Sequence, residues 1–142
     1  MGQKLPTFLF TALLTITLAA CSSSPSAPTG PTSVTLAPGQ STVVSGLSVK
    51  FVGVTLDTRC PADALCIQMG DAFVALETVM LGGRRAFELQ LLNPTNRSTT
   101  HGSYSIELTE LTPYPFAGQP IAPGDYRAKL TVARDIAPAK AQ

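Results

Sequence analysis

From about residue 34 onward, apolar and polar positions alternate with a period of two, the signature of half-buried β-strands. Val34-Thr35-Leu36 opens the pattern, an Ala37-Pro38-Gly39-Gln40 turn follows, and Ser41 to Val44 reads as a second short strand broken by Ser45-Gly46. Leu47, Val49 and Phe51 share one face of the next run, whereas Val52, Val54 and Leu56 share the other. That switch predicts a bulge or bend at Gly53. Further strands are expected over Asp71–Met80, Arg85–Leu91, Tyr104–Leu108 running on to Leu111, and Asp125–Val132, with Tyr126, Ala128, Leu130 and Val132 facing inward. Gly82-Gly83 between two such runs marks a tight hairpin. Pro61 is placed to open a single helical turn ending near Leu65, and Asn93 to Ser103 reads as a polar loop.

About seven short strands with frequent turns and no amphipathic helix predict an all-β fold, a small antiparallel β-sandwich, with an open barrel as the alternative. No internal repeat is visible. The boundaries that follow are residues 34–134 for the domain and 135–142 for a frayed tail.

The first residues follow a different pattern. Lys4 and the amino terminus form a short positive region, Leu5 to Ala20 is largely apolar, and Leu18-Ala19-Ala20-Cys21 closes it. Phe8 to Ala20 has the length of a signal h-region and falls short of the ~20 apolar residues of a spanning helix. Residues 1–20 are therefore expected to be a lipoprotein signal peptide, with Cys21 the lipidated residue after cleavage. The rival reading is an ordinary secretory signal with a free cysteine. Residues 21–33, Cys21-Ser22-Ser23-Ser24-Pro25-Ser26-Ala27-Pro28-Thr29-Gly30-Pro31-Thr32-Ser33, carry no charge and no aromatic and suit a flexible tether. Ser22 supplies no acidic retention signal, which favours an outer membrane, on its periplasmic face.

Loss of Lys4 with the signal leaves nine Lys/Arg against nine Asp/Glu, with no basic stripe, so nucleic acid is not an expected partner. The expected contacts are the membrane, through acyl chains on Cys21, and an envelope protein. Beyond Cys21, the two remaining cysteines, Cys60 and Cys66, form an even pair in an exported chain and predict a disulfide. Redox chemistry prefers Cys-x-x-Cys spacing, and a zinc site needs more ligands than the single His101 can add. No metal or other cofactor is expected.

Candidate chemistry is sparse. Asp57 and Arg59 flank Cys60, and Asp71 lies beyond Cys66. Arg59 is expected to meet one of these carboxylates or backbone carbonyls, stapling a crossover between sheets. The sharper alternative is that Arg59, with Asp57, presents a binding edge for an anionic ligand. Pro113-Tyr114-Pro115-Phe116 reads either as a loop whose aromatics plug the sandwich or as a recognition surface that uses Tyr114. His101 is expected to be a solvated loop residue, and Glu107 and Glu110 to face opposite sides of a strand. No nucleophile elbow, phosphate loop or calcium loop occurs. The function expected is that of a non-enzymatic accessory or binding module, or else a periplasmic inhibitor or assembly factor acting on another protein, with an enzyme as the third and least supported alternative.

Asp57-Thr58-Arg59-Cys60-Pro61, then Cys66 and Gly70, resembles the D-[ST]-R-C-P-x4-C-x3-G box of a group of small uncharacterised bacterial lipoproteins. Tyr104-Ser105-Ile106-Glu107-Leu108, Pro113-Tyr114-Pro115 and Tyr126 to Val132 extend the likeness over roughly residues 48 to 133. Relatives commonly place Trp-Ala before the glycine, where this chain has Gln68-Met69, so a role resting on that aromatic does not carry over. The resemblance implies a β-rich, envelope-anchored domain and supplies no activity.

Overall fold

The computed structural model describes residues 30–135. The leader, Cys21 and most of the tether, residues 1–29, lie outside the described residues, as does most of the expected tail, residues 136–142.

Eight strands form two antiparallel four-stranded sheets packed face to face: β1 (Thr32–Leu36), β2 (Ser41–Val44), β3 (Leu47–Asp57), β4 (Ala72–Met80), β5 (Gly83–Gln90), β6 (Ser98–His101), β7 (Tyr104–Thr112) and β8 (Arg127–Arg134). One sheet has the order β1-β8-β7-β6 and the other β2-β3-β4-β5, so the fold is a sandwich and not a closed barrel. Among the described residues no helix is long and apolar enough to cross a membrane.

The core is the expected one. Leu47, Val49, Phe51, Val74 and Leu76 from one sheet meet Ile106, Leu108, Ala128, Leu130 and Val132 from the other, all essentially without solvent contact. Tyr126 also faces inward, as its period requires.

Three local readings are corrected. The polar run Asn93–Ser103 contains a strand, because β6 pairs with β7 from Ser98↔Glu107 to His101↔Tyr104. Its polarity fits an edge strand of which His101 is the one buried residue. His101 is therefore not a solvated loop residue: its Nδ1 lies 2.7 Å from the hydroxyl of buried Thr78 on β4, a polar bond across the two sheets. Pro61 to Ala64 is a hydrogen-bonded turn, Ala64 N–H to Pro61 C=O at 3.1 Å, and not a helical one.

Bulges decide which residues face the core. The β3–β4 register shifts between Phe51 and Gly53 and again between Val54 and Leu56. The extra residues are Val52 and Thr55, so the positions opposite buried Leu76, Val74 and Ala72 are Phe51, Val54 and Asp57. The predicted bend is thus real but doubled, and Val52 and Leu56 face solvent, each about half exposed. A further shift between Leu108 and Glu110 in β7 turns Leu111 inward. It also puts Glu107 and Glu110 on the same outer face, where they meet Arg97 at 2.8 Å and Lys129 at 3.7 Å.

Antiparallel pairing sorts the connections to two ends. The hairpin end collects the Ser45-Gly46, Leu81-Gly82 and Gly102-Ser103 turns, the start of β1 and the finish of β8. The loop end collects residues 37–40, 58–71, 91–97 and 113–126.

Candidate functional site

Asp57 is the last residue of β3, and the two bulges turn its carboxylate toward the sandwich interior. A buried carboxylate without a partner is costly, and Arg59 supplies the partner. The Arg59 Nε–H donates to Asp57 Oδ1 at 2.8 Å and Nη2 donates to Oδ2 at 2.6 Å, a bidentate fork. The remaining reach of the guanidinium crosses to the other sheet. Nη1 donates to the Leu111 carbonyl at 2.7 Å and Nη2 to the Pro113 carbonyl at 3.0 Å. The Tyr114 ring lies 5.3 Å from the guanidinium carbon, and the Tyr126 hydroxyl donates to Asp57 Oδ2 at 3.1 Å. Arg59 thereby ties β3 to the end of β7, and Asp57, through Tyr126, ties in the residue that leads into β8.

This geometry corrects the idea of an anion-binding edge on Arg59. The side chain is 1% exposed, and an incoming anion would have to displace Asp57. The structure brings Asp57, Arg59 and Tyr114 together, but of the three Tyr114 is the one well exposed, at 45% of its surface.

Charge and burial compete at the pair. Burial pushes the Asp57 carboxyl up, but the hydrogen bonds and charge of Arg59, aided by the Tyr126 hydroxyl, outweigh it and hold the group below its ordinary 3.8. Burial, then the Asp57 charge and hydrogen bond, raise Tyr126 above its ordinary 10.0. Each direction fixes a sign. The Asp57 contribution to stability is complete above 3.8 and is lost as pH falls through its lower folded value. The Tyr126 contribution is complete below 10.0 and is lost as pH rises through its higher folded value. Urea-denaturation midpoints should therefore fall on both sides of a neutral plateau, and Tyr126→Phe should remove part of the alkaline fall. An alkaline limb unchanged in Tyr126→Phe would refute this assignment.

The loop that leaves this pair is fastened at two levels. Cys60 and Cys66 are bonded, with Cα atoms 6.0 Å apart, the pairing expected from sequence. Closing so small a loop is worth about 2 kcal/mol on chain-entropy grounds. At the base, Thr58 N–H donates to the Asp71 carbonyl at 2.8 Å and Asp71 N–H to Thr58 Oγ1 at 3.0 Å. Asp71 Oδ1 accepts from the N–H groups of Ala72 and Leu92 at 2.7 and 2.8 Å, so Asp71 organises two loops and leaves Arg59 to Asp57. Gly70 packs directly on the Thr58 carbonyl.

The disulfide loop also docks on the Pro113–Ala117 segment. Ala62 N–H donates to the Pro115 carbonyl at 2.9 Å, and Asp63 Oδ1 accepts from Ala117 N–H at 2.7 Å. The two loops present Leu65 and Ile67, wholly exposed, with Met69, Tyr114 and Phe116 from half to two-thirds exposed. Tyr114 and Phe116 are thus each about half buried, Tyr114 over the Arg59 guanidinium. A cavity of about 290 Å3 lies beside them, lined by Arg59, Leu91, Leu92, Leu111 and Tyr114, with Arg97 and Glu110 on its polar side. That volume suits one apolar side chain or a short acyl group, at the lower limit for a small-molecule site. Among the described residues, no three His, Cys, Asp or Glu side chains group together to hold a metal ion. The exposed row Leu65, Ile67 and Met69 was not singled out from sequence. Its alternation was the available signal, since Cys66 and Gly70 are the residues tied back between and after them.

Comparison with known proteins gave no match: no family model, no curated protein and no solved structure aligns with the chain.

Proposed function

We propose that the chain is a bacterial envelope lipoprotein, held to a membrane by acyl chains on Cys21, whose β-sandwich is a non-enzymatic accessory or binding module. One observation carries the reading. The Cys60–Cys66 bond uses two of the three cysteines and leaves Cys21, at the end of an apolar leader and eleven residues before β1, as the remaining thiol. Stable anchoring needs more than one acyl chain, which lipoprotein processing at such a cysteine supplies. The outer membrane, facing the periplasm, is the favoured site. Labelled palmitate fed to expressing bacteria is expected to enter the wild-type chain and not Cys21→Ser, and only the wild type should partition into detergent. Equal labelling of both would overturn the reading.

A second reading, an inhibitor or assembly factor acting on another protein, is favoured by the exposed apolar row at the loop end. Burying a side chain such as Leu65 or Ile67 on a partner is worth roughly 1.5–3 kcal/mol each, and the disulfide pre-organises the loop that carries them. A photo-crosslinking residue at position 67 is expected to capture one envelope protein in stoichiometric yield. Absence of any protein adduct, with the same residue at position 43 as control, would count against it.

A further inference from the structure

A second surface lies at the hairpin end, remote from Arg59. Leu81, in the two-residue turn between β4 and β5, is wholly exposed. Arg84 and Arg85 follow it on the edge strand, and Arg84 meets Glu77 only at 3.5 Å with 68% of its side chain exposed. Arg134, at the finish of β8, is exposed and lies 5.6 Å from the Tyr104 ring centre. Glu77 beside Arg84 and Asp135 after β8 are the carboxylates set against these three arginines. A cavity of about 270 Å3 opens between the Ser45-Gly46 turn, Leu81 and Arg134. The loop end has the opposite character. Asp63, Asp71 and Asp125 stand there with Arg127 as the unpaired cation among the described residues, while Arg59 is neutralised by Asp57 and Arg97 by Glu107.

The direction of the chain gives this polarity a meaning. Thr32 pairs with Val132, so everything before β1 leaves from the hairpin end. The ten residues between Cys21 and Thr32 let the two lie at most about 40 Å apart.

We propose that the hairpin end docks on the anionic phospholipid surface of the bilayer that carries the Cys21 anchor, with Leu81 entering the headgroup boundary and Arg84, Arg85 and Arg134 set against lipid phosphates. This rests on the anchored reading above, since an anchor at Cys21 is what brings this end to a bilayer. An arginine near an anionic leaflet favours the docked state by about fivefold. Tethering makes the event intramolecular, at millimolar effective concentration, so a few such contacts suffice. An aliphatic tip ringed by arginines matches an anionic interface, whereas the acidic loop end is repelled by it. The docked domain would stand upright and hold Leu65, Ile67 and Tyr114 out toward the aqueous compartment.

The chain contains no tryptophan, so a single Leu81→Trp substitution at this exposed tip gives a unique reporter. The chain from Cys21 onward is coupled through the Cys21 thiol to a maleimide lipid, with Cys60 and Cys66 protected by their bond. This imposes the anchor chemically, so failure to dock is separable from failure of cellular acylation, which palmitate labelling decides. On phosphatidylcholine vesicles containing phosphatidylglycerol, Leu81→Trp emission should shift to the blue and be quenched by brominated acyl chains, whereas Ile67→Trp emission should remain that of solvent. Adding Arg84→Ala and Arg85→Ala should lower the docked-to-undocked ratio by roughly tenfold or more. Solvent-like emission from both reporters, stronger quenching of Ile67→Trp, or an undiminished signal on pure phosphatidylcholine would each overturn the proposal.

Discussion

Arg59→Ala is expected to cost about 3–5 kcal/mol of folding stability, the largest effect of any single substitution considered for this domain. The side chain is fully enclosed, and its loss takes the charged fork from the Asp57 carboxylate, which keeps only the Tyr126 hydroxyl and the residue 59 N–H, and removes the donor that the Leu111 and Pro113 carbonyls share. Stripping one partner from a buried pair costs more than the pair contributes, because the residual charge has no water to replace the lost fork. Arg59→Lys should recover little of the loss, since a single ammonium cannot span a bidentate carboxylate and two carbonyls on the opposite sheet. The double variant Asp57→Leu with Arg59→Met should be more stable than Arg59→Ala alone, because no unpaired charge remains. Urea denaturation of the three variants measures this. A loss below about 1 kcal/mol for Arg59→Ala, the range of exposed pairs, would mean that the fork is solvated and not structural.

Gly70→Ala is the second. A β-carbon there would lie 1.6 Å from the Thr58 carbonyl oxygen and 2.4 Å from its carbon. Both are backbone atoms, held by the Thr58–Asp71 hydrogen bonds that close the loop, so no side chain can swing aside. Overpacking of this kind costs about 3 kcal/mol or more. In a domain of this size that is a fall in melting temperature of about 15 °C. Gly53→Ala is the control, since a β-carbon at Gly53 meets nothing within 4 Å. A melting temperature for Gly70→Ala within a few degrees of the control would show that the 58–71 loop yields easily. Because Gly70 sits between the disulfide and β4, the same substitution should also displace Ile67 and Met69 and reduce capture of any partner at position 67.

These two residues mark where sequence reading succeeded and where it stopped. Arg59 stood out by its charge inside the cysteine box, and its two outcomes, staple or anion edge, could be stated. Choosing between them required knowing that Asp57 faces inward. That depends on two bulges, at Val52 and Thr55, and a bulge is an extra residue in a register that only the partner strand defines. The same cause moved Glu110 onto the face of Glu107. Strand β6 escaped because Ser98-Thr99-Thr100-His101 has no apolar alternation, and an edge strand bonded to one neighbour needs little. His101 looked like a loop histidine because its partner, Thr78, is twenty-three residues away.

The sequence by itself determined the all-β class, most strand positions, the inward row of β8, the pairing of Cys60 with Cys66 and the expectation of an anchor at Cys21. These are local properties: a period of two, turn residues and cysteine count act through neighbours along the chain. The tertiary structure alone decided the face of each bulged residue, the burial of Arg59 and His101, and the assignment of connections to ends. Those are long-range properties, because register and burial are set by the strand alongside and the sheet opposite. The separation of an arginine-bearing hairpin end, where β1 begins, from a loop end that carries Leu65, Ile67 and Met69 together with Asp63, Asp71 and Asp125 follows from strand direction, which only antiparallel pairing fixes.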